Sequence, residues 1–234
     1  MSTQRIPLWD LPVRLFHWLL VIAIAAAVIT ANIGGNAMVW HGRIGLFIAG
    51  LIVFRLVWGL IGPTYARFST FLPTPGSIGA YLRGQWRGIG HNPLGSLSVL
   101  GLLLMVAVQV GTGLFANDDI AFRGPLFDLV GKDTSDLLTR VHRIAINLLM
   151  TLIALHLAAI AFYAHVKKDN LVKPMIRGWK DVDSTAHDVR PIRGGGAVAF
   201  IVALTLAVGA VLAASGAWLP EPPAPAVQQQ APAW

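Results

Sequence analysis

Residues 137–166 read LLTRVHRIAINLLMTLIALHLAAIAFYAHV, thirty positions that hold His142, His156 and His165. The run exceeds the roughly 20 apolar residues that cross a bilayer as helix. His142 and His156 are fourteen residues apart. Fourteen residues advance a helix by about 21 Å and turn it by about 1400°, about 40° short of four full turns. Both imidazoles therefore leave one face of one helix at two depths.

The rest of the chain agrees with a membrane setting. Of 234 residues, 55% are hydrophobic and 12% charged, against about 25% charged in an ordinary soluble domain. Mean hydropathy is +0.64. The chain has no cysteine. That excludes disulfides, iron–sulfur clusters, thiolate zinc sites and covalently attached c-type haem. A cofactor must be held by His, Asp, Glu, Met or backbone, and seven histidines are present.

Four more spans stand beside the first, at about 15–33, 40–62, 94–115 and 197–219. Gly34-Gly35 ends the first, Pro63 the second and Pro220 the fifth, while Pro93 opens the third. The N-terminal span reads as a retained helix, since its apolar run is too long for a signal peptide and opens on Leu15, Phe16, His17 and Trp18. Twelve Lys and Arg fall in the loops on one side of these spans and three on the other, where Asp118, Asp119, Asp128, Asp133, Asp136 and Glu221 gather. The positive-inside rule then places the N-terminus in the cytoplasm and the C-terminus outside, as in a bacterial inner-membrane protein. The net charge of +7 is mostly this topology signal, so nucleic acid is not expected as a partner. Trp18, Trp40, Trp58 and Trp218 stand at span ends as interfacial belt residues.

The expected architecture is all-α. Residues 1–178 make a four-helix membrane bundle and 179–196 a basic connection without periodicity. Residues 197–219 make a fifth transmembrane helix and 220–234 a Pro/Ala/Gln-rich extended tail. Loop 66–92, with Phe68, Phe71, Tyr81 and Trp86, lies partly in the membrane interface.

Ionisable groups inside a membrane mark functional sites. His41 stands at the outer end of the second span and meets His142. His17 stands near the inner end of the first and meets His156. Two facing neutral imidazoles suit the two axial positions of an iron porphyrin, which then transfers electrons and does not readily bind oxygen. Two such sites lie about 20 Å apart by helix rise. Gly42, Gly45, Gly95, Gly101, Gly111 and Gly113 give room between helices. Arg14, Arg43, Arg140 and Arg143 are candidates for pairing with haem propionates. Depth alone favours His165 as the partner of His17, because His156 lies eleven residues before Lys167. Spacing leaves that choice open. His91 is otherwise an exposed residue at a helix start, and His187 a solvated loop residue.

The chain resembles the bacterial di-haem cytochrome b superfamily, which includes prokaryotic cytochrome b561 and the b-type cytochrome subunits of nickel–iron hydrogenases and formate dehydrogenases. The matching pieces are RLFHW at 14–18, HGRIG at 41–45, RLVWG at 55–59, the His142–His156 pair and KDNL at 168–171. The resemblance covers about residues 9–178. It implies four ligands at His17, His41, His142 and His156, choosing His156 over His165, and two non-covalent b haems. GHNPLG at 90–95, and GLF at 113–115 with Asp118 and Asp119, resemble a subgroup of stand-alone cytochromes.

The function this implies is transmembrane electron transfer between the quinone pool and a periplasmic redox protein such as a c-type cytochrome. His91, Arg14 and Arg55 are the candidate quinone contacts, and the outer aspartates are the candidate docking surface. Alternatives are a cytochrome b anchor in a larger oxidoreductase or pigment–protein complex, and a quinone-reducing superoxide oxidase. A pigment protein with one histidine per magnesium makes no use of facing pairs. A metal transporter usually adds midplane carboxylates, which the spans lack. A purely structural subunit folds without haem.

Overall fold

The structure is a computed structural model that describes residues 3–183 and 187–220; the tail from 221 onward lies outside the described residues. Among the described residues five helices are long and apolar enough to cross a membrane. They are α1 (Leu11–Ile33), α2 (Ala37–Ile61), α4 (Pro93–Gly113), α5 (Lys132–His165) and α7 (Ala197–Ala214), with shorter helices α3 (Pro75–Leu82) and α6 (Val172–Arg177) between them. The protein is an all-α membrane bundle with one small two-stranded sheet.

Local chemistry fixes the helix ends. Asp10 Oδ1 accepts from the Val13 N–H at 2.7 Å and starts α1 four residues before the expected point. Asn92 Oδ1 does the same for Gly95 at 2.8 Å and starts α4, with Pro93 behind it. Such a cap is worth about 1 kcal/mol. Gly34 and Gly35, at φ 67° and 52°, make the tight turn from α1 into α2. α5 begins five residues before the expected span, because its first turn carries the polar Lys132, Asp133 and Asp136. α7 ends at Ala214 rather than 219; Gly216 at φ 68° breaks it, and the Trp218 indole N–H folds back to the Ala213 carbonyl at 2.8 Å.

α1 packs along α2 and α4 along α5, while α2 joins the two pairs by meeting α4. α7 lies on α2, where Ala203 is fully buried. Gly50 makes this approach possible, since a Cβ there would stand 2.7 Å from Val211 Cγ2. Ala23, Ile48, Ile52, Val106 and Leu149 pack at the centre of the bundle.

Two segments expected to be irregular are ordered at the basic end. Strand β1 (Thr3–Pro7) pairs antiparallel with β2 (Trp179–Asp183), with Ile6 opposite Lys180. Ile6 and Val182 turn into the core beside Trp58 and Tyr65. Strand β1 alone is short and mixed in polarity, so only its distant partner reveals it. Loop 66–92 contains α3, opened by a capping box between Thr74 and Ser77.

Candidate functional site

At the acidic end, α2 and α5 bring His41 and His142 together. Their ring centroids are 6.2 Å apart and the rings nearly perpendicular, at 86°. His41 Nδ1 lies 2.9 Å from the Ala27 carbonyl of α1. His142 Nδ1 lies 2.9 Å from the Gln109 carbonyl of α4, with Thr112 Oγ1 at 3.3 Å. A carbonyl only accepts, so each Nδ1 carries the proton and each Nε2 keeps its lone pair. A hydrogen bond of this kind also orients a metal-binding imidazole. Gly113 lets α4 approach this closely, because a Cβ there would stand 3.0 Å from His142 Cε1.

At the basic end, His17 on α1 and His156 on α5 are within electrostatic reach of one another. Both are half-buried, whereas His165, the last residue of α5, is exposed. The 34-residue α5 is about 51 Å long at the usual rise, well beyond a 30 Å core. Its last turns reach the 66–92 segment. There the Tyr163 hydroxyl meets the Tyr81 hydroxyl and accepts from Asn92 Nδ2 at 2.6 Å. That overhang is why His156 stands near the level of His17.

His91 lies between Trp9 and Phe71, with ring centroids at 4.6 and 4.7 Å. Burial first, then the neighbouring Arg55 and His156, lowers its pKa to about 3, so the ring is neutral. It lines a cavity of about 400 Å³ with Tyr65, Phe71, Trp86 and Arg190. Arg55 is 4% exposed and lies under the Phe68 ring, 4.6 Å from its centroid. Burial raises the pKa of Asp10, whose Oδ2 accepts from the Trp58 indole at 2.9 Å. Trp58 is therefore a buried hydrogen-bonding residue, 3% exposed, and not a belt tryptophan.

Five buried side-chain polar atoms have no hydrogen-bond partner among the described residues: Arg14 Nε, His17 Nδ1, Arg55 Nη1, His91 Nδ1 and Gln109 Oε1. Folded proteins leave few such atoms. Here four belong to residues at the basic-end site, and the fifth belongs to the residue whose carbonyl holds His142. His41 and His142 meet, His17 and His156 lie within electrostatic reach of one another, and no group of three or more His, Cys, Asp or Glu that could hold a metal ion stands together among the described residues. A pair of neutral imidazoles can supply two axial nitrogens to a metal whose other positions are filled by a macrocycle.

The remaining sequence candidates separate. Arg14 Nη1 donates to the Ile176 carbonyl at 2.6 Å, on the basic-end site's rim. Arg43 is exposed and stacks on Trp40 at 5.0 Å. Arg140 and Arg143 are exposed on α5. His187 Nδ1 donates to the Asp183 carbonyl at 3.1 Å. A Cβ on Gly45, Gly101 or Gly111 would meet open space, whereas on Gly42 it would meet Phe122 at 3.2 Å and on Gly95 the Asn92 cap at 3.4 Å. The buried position of Arg55 had a legible signal. It follows His41 by fourteen residues, the interval between His142 and His156.

Residues 8–178 match the model of the family described as prokaryotic cytochrome b561. The chain is 25% identical over 140 residues to a probable Ni/Fe-hydrogenase 1 B-type cytochrome subunit of Escherichia coli (strain K12), an alignment covering 45% of this chain and 57% of that subunit. It is 23% identical over 215 residues to a probable Ni/Fe-hydrogenase B-type cytochrome subunit of Azotobacter chroococcum mcd 1, covering 74% and 87%. A counterpart in Azotobacter vinelandii is 24% identical over 212 residues, with the same coverage. No solved structure matches significantly. The family match spans most of the chain and contains both histidine pairs, so this protein belongs to the prokaryotic cytochrome b561 family of membrane b-type cytochromes that work in electron transport.

Proposed function

We propose that the protein carries two non-covalent b haems and passes electrons across a bacterial inner membrane between the quinone pool and a periplasmic carrier. His41 and His142 hold one haem, and His17 and His156 the other. The observation that carries this is the His41–His142 geometry. Imidazole nitrogens bind transition metals at about 2 Å, so rings on opposite sides of one metal ion have centroids about 6 Å apart. The observed 6.2 Å fits that arrangement, as do the two Nδ1–carbonyl bonds that keep Nε2 unprotonated. The orphaned Nδ1 of His17 fits a second group at the basic end. A bound haem supplies a one-electron couple; the chain supplies axial nitrogens, their orientation and a water-poor surrounding.

By the positive-inside rule the basic end faces the cytoplasm and the acidic end the periplasm. Residues 1–178 then form the haem domain, 179–196 a cytoplasmic connection and α7 an added span. Quinone is met at the basic end, where the cavity beside His91 offers a neutral ring and aromatic walls to a polar head group. The names of the relatives favour a second reading, a cytochrome b subunit of a larger oxidoreductase. A dithionite-reduced minus oxidised spectrum with haem counted per chain tests the shared core. Low-spin b-type bands at about two haems per chain are expected; haem-free protein from haem-replete cells overturns it.

The periplasmic partner docks by charge. Asp118 Oδ1 accepts from the backbone N–H of Ile120, Phe122 and Ala121 at 2.8–2.9 Å, which holds its carboxylate below the usual range. Lys132 bridges Asp119 and Asp136 at 2.6 and 2.5 Å. Asp128 and Asp133 are exposed and make no ion pair among the described residues, which leaves their carboxylates open to a partner. Replacing both by Asn is expected to slow association with a cationic c-type cytochrome several-fold at low ionic strength, and the difference should vanish at high salt. Stopped-flow rates that do not change at low salt remove the docking surface.

A further inference from the structure

Arg55 is the one charged side chain in the fully buried set of described residues. It has no ion pair. The nearest acid, Asp10, has both oxygens engaged, Oδ1 by the Val13 N–H and Oδ2 by the Trp58 indole. Phe68 covers the guanidinium and Nη1 is left without a partner. A buried guanidinium with unused N–H groups calls for an anion, and its planar fork matches a carboxylate best.

The position says which anion. α2 and α5 both start at the acidic end and run toward the basic end. Arg55 follows His41 on α2 by the same fourteen residues that separate His142 from His156 on α5. Fourteen residues return to nearly the same helix face about 21 Å further on. Arg55 therefore stands on the face of α2 that carries His41, at the level of His156. His91 is within electrostatic reach of both. The cavity beside His91 is not lined by Arg55, which lies behind Phe68.

We infer that Arg55 binds a propionate carboxylate of the haem held by His17 and His156, which makes it a cofactor-binding residue rather than a quinone contact. This rests on the two-haem reading above. Arg14 is half-buried, with Nη1 committed to Ile176 and Nε unpartnered, whereas the fully buried charge at this end is Arg55 on α2. The acidic-end pair has no equivalent, since Arg43, Arg140 and Arg143 are exposed. The two haems then sit in different electrostatic settings, and the arginine holds the basic-end haem at a higher midpoint potential than it would otherwise have.

The test is an optical redox titration of wild-type, Arg55→Gln and Arg55→Lys protein, each loaded with haem or with haem dimethyl ester, whose carboxylates are blocked. With haem, Arg55→Gln is expected to lower the potential or occupancy of the basic-end haem and leave the acidic-end haem unchanged. Arg55→Lys should retain most of the wild-type behaviour. With the ester, which offers no carboxylate to pair, wild type and Arg55→Gln should fill the basic-end site equally. If Arg55→Gln does not accumulate, the wild-type and Arg55→Lys comparison across the two haems carries the test, the ester erasing any difference between them. An unchanged basic-end haem in Arg55→Gln overturns the inference, as does a loss of basic-end occupancy of equal size with the ester. An unchanged haem with slowed quinol oxidation assigns Arg55 to the quinone instead and overturns it equally. A wild-type protein with no basic-end haem is a failure of the two-haem reading, and is seen before any variant is made.

Discussion

His41→Ala and His142→Ala should each purify with about one haem per chain in place of two, and the haem that remains should be the same in both. Removing either imidazole deletes one of the two nitrogens that the 6.2 Å pair presents. It also removes one hydrogen bond to a helix carbonyl, Ala27 in one case and Gln109 in the other, but each carbonyl still accepts from a hydroxyl, Thr30 or Thr112, so the lost ligation dominates. The two substitutions act on one unit, so the double variant should lose no more haem than either single one. The level of His17 and His156 is about 21 Å away along the helices, beyond the range over which substitutions usually couple, about 7–10 Å. A pyridine haemochrome count with a low-temperature α-band spectrum reads both quantities. Two haems at full stoichiometry in either variant would refute the pairing.

The sequence announces the helices and the histidine faces because both are local. Apolar length, Gly34-Gly35 and Pro93 mark most span ends within a few residues. The fourteen-residue interval on α5 needs only helix geometry. What was not legible depends on distant partners. Strand β1 exists because residues 179–183 come back to it. Trp58 looks like an interfacial tryptophan until Asp10, forty-eight positions earlier, is seen to accept from its indole. The interval from His41 marks the place of Arg55 on α2, but its cover by Phe68 is again a contact between segments that the interval does not show. The outer aspartates are a candidate docking surface by charge, yet Lys132 and three backbone N–H groups engage Asp118, Asp119 and Asp136. Charge counts give the sign of a surface and not which of its members are already satisfied.

His156→Ala should lose the basic-end haem, whereas His165→Ala should keep both. Judged by depth from Lys167, the two histidines are equal candidates at best, and His165 is the better level match to His17. The fold argues the other way. α5 carries its basic end about 13 Å past His156 by the usual rise, and Tyr163 near that end is tied to Asn92 and Tyr81 outside the bundle core. His165 is the exposed last residue of that overhang, while His156 is half-buried within reach of His17 and His91. His17→Ala should match His156→Ala in spectrum and haem count, because trans ligands to one iron fail together. The surviving haem in this pair of variants should be the one missing from the His41 and His142 variants, so the two reduced-minus-oxidised spectra should add up to the wild-type spectrum. Loss of haem in His165→Ala with retention in His156→Ala would move the ligand one step outward along α5. It would also require the Tyr163–Asn92 anchor to release when haem binds.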